Sequence, residues 1–540
     1  MVCYGVALRR LSRYNVVAPT TLLTSTPLIT RRMRTAAVPL EHAPSVKHIS
    51  ALAGKNDGNT MQACGYGNLF IGPDFEAMQM AIRKHGIQHG DRVMLDLWES
   101  HGAPDMMKIP RVGTEENQQL YDICVATPNL AADVFHNVKW YDRGDLPYMQ
   151  QVYSRLAPNA PKTSHGIAMR TVDGGWEKHR RLANKALLPP KAIKAFTDDM
   201  NAYAKVLVNV LAAESAKGAI DIRKPLNDYT FSVILKIAFG TPGETVPEIA
   251  GAVRTLFNVA RTHLLLPPAA FDWEKDPLLR DLHEKLQSIR RFLMDMLKER
   301  RVMMRRGEIL PTDFATAIFT ARDEKDGEML MEEDVLTDSI DIMAAGTDTT
   351  ASLLTFALYE LAKPENKILQ MQLYKEITDT IASADLQYDA GGSMRLLTAV
   401  LKETARLYPP APINGRAATE NFEFHGVHIP RGASVVILNE PIHRNPAQYA
   451  HPNTYFPYHF IDQNINKARH PFAWIPFGAG GRSCVGQRIS MMEAKVALAH
   501  LIRTFEMELA SHRDGRKVET EVGFTIAAVE PVEIVFTARK

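Results

Sequence analysis

The 540-residue sequence predicts a mainly α-helical fold with small β-sheets. Three observations carry this. From Trp176 onward, apolar residues recur at helical spacing over long stretches. Strand-like runs are short and lie before Leu156 or after Pro410. No repeat, low-complexity run or Gly/Ser linker divides the chain, so one large domain is expected, spanning 43–540. Hydrophobic content of 46% and charged content of 23% suit a globular protein with a sizeable core. A formal net charge of +2 gives no case for a nucleic-acid surface. Cys3, Cys64, Cys124 and Cys484 are too few and scattered for a disulfide framework, and none forms a CxxC zinc pair.

The amino-terminal stretch is rich in arginine and hydroxyls. Arg9, Arg10, Arg13, Arg31, Arg32 and Arg34 precede the first acid, Glu41. This is the composition of a mitochondrial transit peptide, expected over 1–42 and removed on import; a disordered basic tail is the other reading. No run of about 20 apolar residues predicts a transmembrane helix. From Pro44 to Leu156, glycine-rich turns suit short strands with one or two helices. Amphipathic helices are expected from Ala195 to Ala213 and from Leu279 to Arg301. The longest runs from Glu332 to Ala362, with acids in its first turn and Pro364 to stop it. Another spans Met394 to Leu407, ahead of Pro409 and Pro410. FEFHGVHIP and ASVVILNE read as strands joined by a turn at Pro430 to Gly432. A last helix, Gly486 to Phe505, precedes a terminal hairpin that includes FTIAAV and VEIVFTA.

The strongest chemical signal is FGAGGRSCVG, Phe477 to Gly486. Its glycines permit close backbone approach, and Cys484 falls at a loop end just before a helix. Backbone N–H groups and the helix N-terminus there favour a thiolate. By itself the pattern also suits a buried structural cysteine. The second signal is Ala345-Gly346-Thr347-Asp348-Thr349-Thr350 in the longest helix. Glycine and threonines are poor helix-interior choices. Thr349 can bond back to the Ala345 carbonyl, and Gly346 leaves room for a flat cofactor and a diatomic ligand. An acid beside a hydroxyl offers a proton route; a packing seam is the alternative. Third, Glu403 and Arg406 lie on one helix face, which alone usually means an exposed pair. Fourth, Trp176 and Arg180, one turn apart, both present donors suited to a carboxylate or to a simple stack.

At these residues the chain resembles the cytochrome P450 family, whose Phe-x-x-Gly-x-Arg-x-Cys-x-Gly signature is met by Phe477, Gly480, Arg482, Cys484 and Gly486. The resemblance implies the P450 fold, with heme b (iron protoporphyrin IX) between the central long helix and the cysteine-loop helix. Cys484 would be the axial thiolate, which favours O–O cleavage. Phe477 would shield the sulfur, and Trp176, Arg180, Arg416 and Arg482 would bind heme propionates. Thr349 would act beside dioxygen, and Asp348 would gate protons from solvent. Glu403 and Arg406 look like the structural Glu-x-x-Arg, but His459 stands where the family places a third-partner arginine.

The stretch after Trp176, with Leu188, Pro190 and Lys191, resembles the mitochondrial clan of animal P450s. That implies a monooxygenase inserting one atom of O2 into an apolar, sterol- or lipid-like substrate. Electrons would come from NADPH through a ferredoxin reductase and a ferredoxin, at the matrix side with possible peripheral membrane association. Lys402 matches one docking lysine, while Thr398 replaces another and Gln487-Arg488 stand for paired arginines. Two rivals remain at this point: an endoplasmic-reticulum P450 reduced by a flavoprotein, and a non-catalytic heme-thiolate sensor. Ile342, Ala345, Ile413, Thr525 and Ile526 are expected either to line the pocket or to pack the core.

Overall fold

A computed structural model describes residues 69–539, apart from 72–79, 82–83, 85–89, 112–119, 145, 161–164, 265–270, 382–384, 389–392, 463–466 and 512–516. The expected transit peptide, 1–42, lies outside the described residues. The architecture is mainly helical with small sheets, as expected. In chain order the principal helices are α1 (Gly90–Ser100), α2 (Pro128–His136), α3 (Pro147–Leu156), α4 (Trp176–Leu187), α5 (Pro190–Ser215), α6 (Arg223–Phe239) and α7 (Pro247–His263). They continue with α8 (Pro277–Arg306), α9 (Phe314–Thr320), α10 (Glu332–Leu361), α11 (Lys367–Thr380), α12 (Arg395–Leu407) and α13 (Gln487–Thr504).

The central helix α10 spans 30 residues, or about 45 Å at 1.5 Å per residue. It begins with Glu332, Glu333 and Asp334, which suit the positive end of the dipole. It packs on α6, α12 and α13, at the heart of the largest apolar cluster. The composition of α6 explains why periodicity does not announce it. Tyr229, Phe231, Val233, Ile234, Leu235, Ile237 and Phe239 are all buried, so the helix is apolar on every side and shows no stripe. Among the described residues, no helix is long and apolar enough to cross a membrane.

The largest sheet has the order β1-β2-β3-β8-β5, from β1 (Leu69–Ile71), β2 (Met106–Arg111), β3 (Leu120–Val125), β8 (Ser434–Leu438) and β5 (Ile413–Ala417). Antiparallel pairing of β5 with β8 sets Arg416 opposite Val435. FEFHGVHIP divides into a tight hairpin, β6 (Phe422–Phe424) and β7 (Val427–Ile429). Its turn residues His425 and Gly426 both have positive φ, 48° and 76°. The expected turn at Pro430 to Gly432 is present, closed by Ala433 N–H to the Pro430 carbonyl at 3.0 Å.

The expected terminal hairpin is corrected. FTIAAV contributes β11 (Ile526–Ala528), which pairs with β10 (Thr520–Val522). VEIVFTA forms β12 (Glu533–Ala538), which pairs instead with β9 (Phe505–Leu509) and β4 (Ile220–Asp221). Both segments alternate as strands do, and alternation does not name the partner.

Candidate heme site

Cys484 closes the loop that launches α13. Its N–H donates to the Phe477 carbonyl at 2.9 Å, and Ser483 N–H donates to Gly480 at 3.1 Å. Gly478 and Gly480 take positive φ, 64° and 69°. A Cβ on Gly480 would stand 2.5 Å from the Phe135 carbonyl oxygen, so the loop lies against α2 in a way that only glycine permits. The N–H groups of Gly486 and Gln487 point at the Cys484 sulfur. Desolvation of the sulfur raises the thiol pKa, the Gly486 and Gln487 N–H groups and Arg180 lower it, and a bound metal cation would favour the thiolate further.

Around the loop, four guanidiniums converge. Arg482, at 5% exposure, stacks over Trp176 at 3.9 Å and donates from Nε to the Tyr141 carbonyl at 2.8 Å. Its Nη1 and Nη2 are buried without a hydrogen-bond partner, and Asp142 comes no closer than 3.9 Å. Arg180, from α4, donates to the Ser483 carbonyl at 2.7 Å, leaving its Nε unpartnered. Arg416 lies over Phe135 at 5.0 Å and bonds the Gly415 and Ala479 carbonyls. The fourth is Arg143, which donates to Gly415 at 3.0 Å and has an orphaned Nε.

Desolvation, joined by mutual repulsion, lowers these cations: Arg143 to about 10 and Arg482 to about 9, with Arg416 also depressed. Unpartnered buried donors and crowded positive charge call for an anion with several oxygens. The two propionates of heme, beside a cysteine sulfur, fit that donor set. Sequence reasoning missed Arg143, because no motif surrounds it; only folding brings it to Arg180 and Arg416.

The helix carrying Trp176 and Arg180 is fixed by a buried polar network on the first half of α10. Arg170 pairs with Asp334 at 2.6 Å, and His179 Nδ1 meets Asp338 at 2.6 Å. Asp341 accepts from the Tyr153 hydroxyl at 2.7 Å and from Ala168 N–H at 2.8 Å. Desolvation dominates at Asp341 and pushes its pKa up to about 7.

On α10, the Thr349 hydroxyl donates to the Ala345 carbonyl at 2.8 Å, as the four-residue spacing implies. Thr350 bonds Ser490 of α13 at 3.0 Å, tying the central helix to the cysteine-loop helix. At Gly346 a Cβ would lie 2.5 Å from the Ile234 side chain, so this glycine lets helix α6 pack closely on α10. Asp348 turns its carboxylate to the Thr525 hydroxyl at the tip of the β10–β11 hairpin. Burial raises its pKa, opposed by that hydrogen bond and by Arg261. Of the expected lining, Ile342, Thr525 and Ile526 are buried, Ile413 is half-buried and Ala345 is exposed.

Glu403 and Arg406 are wholly buried, not a surface pair. Arg406 makes a bidentate contact with Glu403 at 2.8 and 2.7 Å, and bonds the carbonyls of His443, Pro452 and Thr454. His459 completes the network, its Nδ1 3.2 Å from a Glu403 oxygen that also accepts from Phe456 N–H. Burial would raise Glu403, but the bonds from Arg406 and His459 prevail and hold it below the usual range.

The cations that the resemblance would place against a redox partner are less free than their sequence positions suggest. Lys402 lies over the rings of Trp474 and Phe460, at 5.7 and 5.8 Å, and desolvation lowers its pKa. Arg395 and Arg488 each donate to a backbone carbonyl, at Ile461 and Leu188.

A cysteine beside a cradle of orphaned guanidiniums, just ahead of the helix that Thr350 ties to α10, is the donor set that a heme-thiolate site would need. The cytochrome P450 family model matches residues 135–532, and the chain belongs to that family. It is 30% identical over 364 residues to Cytochrome P450 4F2 of Homo sapiens, covering 63% of this chain and 69% of that protein. It is 26% identical to Cytochrome P450 4c21 of Blattella germanica, over 77% and 83% of the two chains. With "Sterol 26-hydroxylase, mitochondrial" of Oryctolagus cuniculus it shares 29% identity, over 63% and 66%. The protein is therefore an oxygenase whose family carries heme on a cysteine thiolate.

Proposed function

We propose that Cys484 is the axial ligand of the heme and that Arg143, Arg180, Arg416 and Arg482, with Trp176, hold its propionates. The observation that carries this is the set of buried, unpartnered guanidinium nitrogens around the cysteine loop. Bound heme would supply reductive activation of dioxygen and transfer of one oxygen atom to an apolar substrate. The chain's own residues would do the rest. Phe477, edge-on to Trp474, would cover the sulfur. The Thr349 hydroxyl, steered by the Ala345 carbonyl, and the Asp348 carboxyl would hold and move the proton, and the apolar walls of α10 would exclude water.

The substrate class is a sterol or similar lipid, and electrons arrive singly from a ferredoxin-type donor in the mitochondrion. The arginine-rich leader 1–42, free of acids up to Glu41, and the similarity to a mitochondrial sterol hydroxylase support this reading. The 43–540 remainder then forms one domain. A second reading, an endoplasmic-reticulum enzyme reduced by a flavoprotein, is favoured by the 30% identity to Cytochrome P450 4F2, against 29% to the mitochondrial hydroxylase.

Cys484→Ser should abolish the thiolate-type Soret band of the reduced carbon-monoxide complex; survival of the band would overturn the ligand. Localisation of the tagged full chain, with the mass of its mature amino terminus, separates the two compartments. Spin-shift titration with cholesterol, a secosteroid and a fatty acid tests the substrate class.

A further inference from the structure

The acid of the central helix and its threonine are not joined to one another. Thr349 spends its hydroxyl on the Ala345 carbonyl, while the Asp348 carboxylate accepts from Thr525. Thr525 sits on the other side of the acid, in the tip between β10 and β11, and it is buried. The tip is held firmly. Gly523 N–H donates to the Thr525 carbonyl at 3.1 Å, and Ile526 N–H donates to Pro410 at 2.9 Å. Ser352, one turn beyond Asp348 on α10, donates to the Ile526 carbonyl at 2.8 Å. Phe524 packs edge-on against Phe257 of α7, with ring centroids 5.8 Å apart.

The same hairpin brings a cation. Arg261 of α7 acts electrostatically on Asp348 and pairs with Glu521 of β10 at 2.9 Å. Both Arg261 and Glu521 are partly exposed, at 37% and 26%, so the charged pair beside the hairpin reaches the surface. A Cβ on Gly523 would come 3.1 Å from the Arg261 side chain, so the tip and the arginine lie in contact. A hydroxyl can donate to a carboxylate while accepting from water, and can thus relay a proton; a guanidinium cannot, but it sets the charge.

We propose that the tip of the carboxy-terminal hairpin is the solvent-side half of the proton route. Thr525 is a positioning residue that aims and feeds Asp348, and Arg261, anchored by Glu521, sets the charge around it. This deepens the reading of Asp348 as proton donor and rests on it. It assigns a role to a segment far from the central helix in sequence.

The test uses the holoenzyme, with Thr525→Val, Thr525→Ser, Arg261→Gln and Asp348→Asn variants. The first readout is the carboxyl stretch of Asp348 in infrared difference spectra, identified by its loss in Asp348→Asn. The groups facing Asp348 are Thr525 and Arg261, the latter with Glu521 behind it, and both lower its proton affinity. Thr525→Val and Arg261→Gln should therefore move the protonation midpoint of that band to higher pH, and Thr525→Ser should restore it. The second readout is oxygen consumption by the photoreduced protein in H2O and D2O. Thr525→Val should slow it roughly tenfold, the weight of a hydrogen bond to a charged group, and enlarge the solvent isotope effect. A wild-type band and isotope effect in Thr525→Val would overturn the proposal. If Asp348→Asn itself leaves oxygen consumption unchanged, the failure belongs to the proton-donor reading. If Asp348→Asn slows it and Thr525→Val does not, the failure belongs to the hairpin alone.

Discussion

Arg406 grips Glu403 through two parallel bonds of 2.7 and 2.8 Å in a site where neither side chain reaches solvent. Three backbone carbonyls take the remaining guanidinium donors, and His459 and Phe456 N–H serve the carboxylate. A buried pair so fully satisfied stabilises little beyond an apolar substitute, but leaving one partner alone is costly. Arg406→Ala should lose about 3–5 kcal/mol in denaturant unfolding. His459→Phe leaves Arg406 and Phe456 in place and should cost only about 1–2 kcal/mol. Equal losses for the two would refute this ordering.

The pH response near this network is set by His443. Burial, aided by Arg406, lowers its pKa to about 3. Ile475 N–H donates to Nε2 at 2.9 Å, so the proton sits on Nδ1, which faces the Arg406 carbonyl at 3.2 Å. An unfolded histidine titrates near about 6.5. The folded state thus binds fewer protons, and stability present above that value falls as pH drops from about 6.5 toward 3. The loss should approach about 3 kcal/mol near pH 4.5, and His443→Gln should flatten that limb of the stability curve.

Gly346 offers a packing test. Alanine favours a helix by about 1 kcal/mol, yet its methyl would meet Ile234 at 2.5 Å. Overpacking should prevail, with Gly346→Ala destabilised by about 1–3 kcal/mol. Ile234→Ala in the same chain should recover most of that loss in thermal unfolding. If the double variant recovers nothing, α6 is not what the glycine accommodates.

Arg143→Ala tests the propionate cradle apart from activity. It removes a buried cation that touches neither the cysteine nor α10. Heme transfer to an acceptor globin should speed up by roughly tenfold, the weight of one charge-assisted hydrogen bond, while the reduced carbon-monoxide band stays thiolate-type. Arg143→Lys should restore only part, because an ammonium lacks the planar fork.

The long helices and the cysteine loop were legible in the sequence because both depend on local rules. Helical periodicity marked α8, α10, α12 and α13 closely, and the back-bond from Thr349 followed from spacing alone. Non-local facts were not legible. Strand alternation could not tell β11 that its partner is β10, and α6 hides because burial on all sides erases a stripe. Arg143 and Asp341 carry no motif, and their chemistry exists only where distant segments meet. Gly346 was legible as a place of close approach, but Ile234 of α6, the neighbour a Cβ would meet there, was not. Glu403 and Arg406 were read correctly as a facing pair, while their burial depended on segments 37 to 56 residues away.

The guanidinium cradle bears on how the molecule matures. Four like charges gathered across α4, β5 and the cysteine loop lower one another's pKa, so this seam would close only on a counter-ion of matching capacity. Closing that seam is a task left to the cofactor's carboxylates rather than to its iron. An esterified porphyrin of the same shape and metal would then fit the slot and still fail to complete the protein.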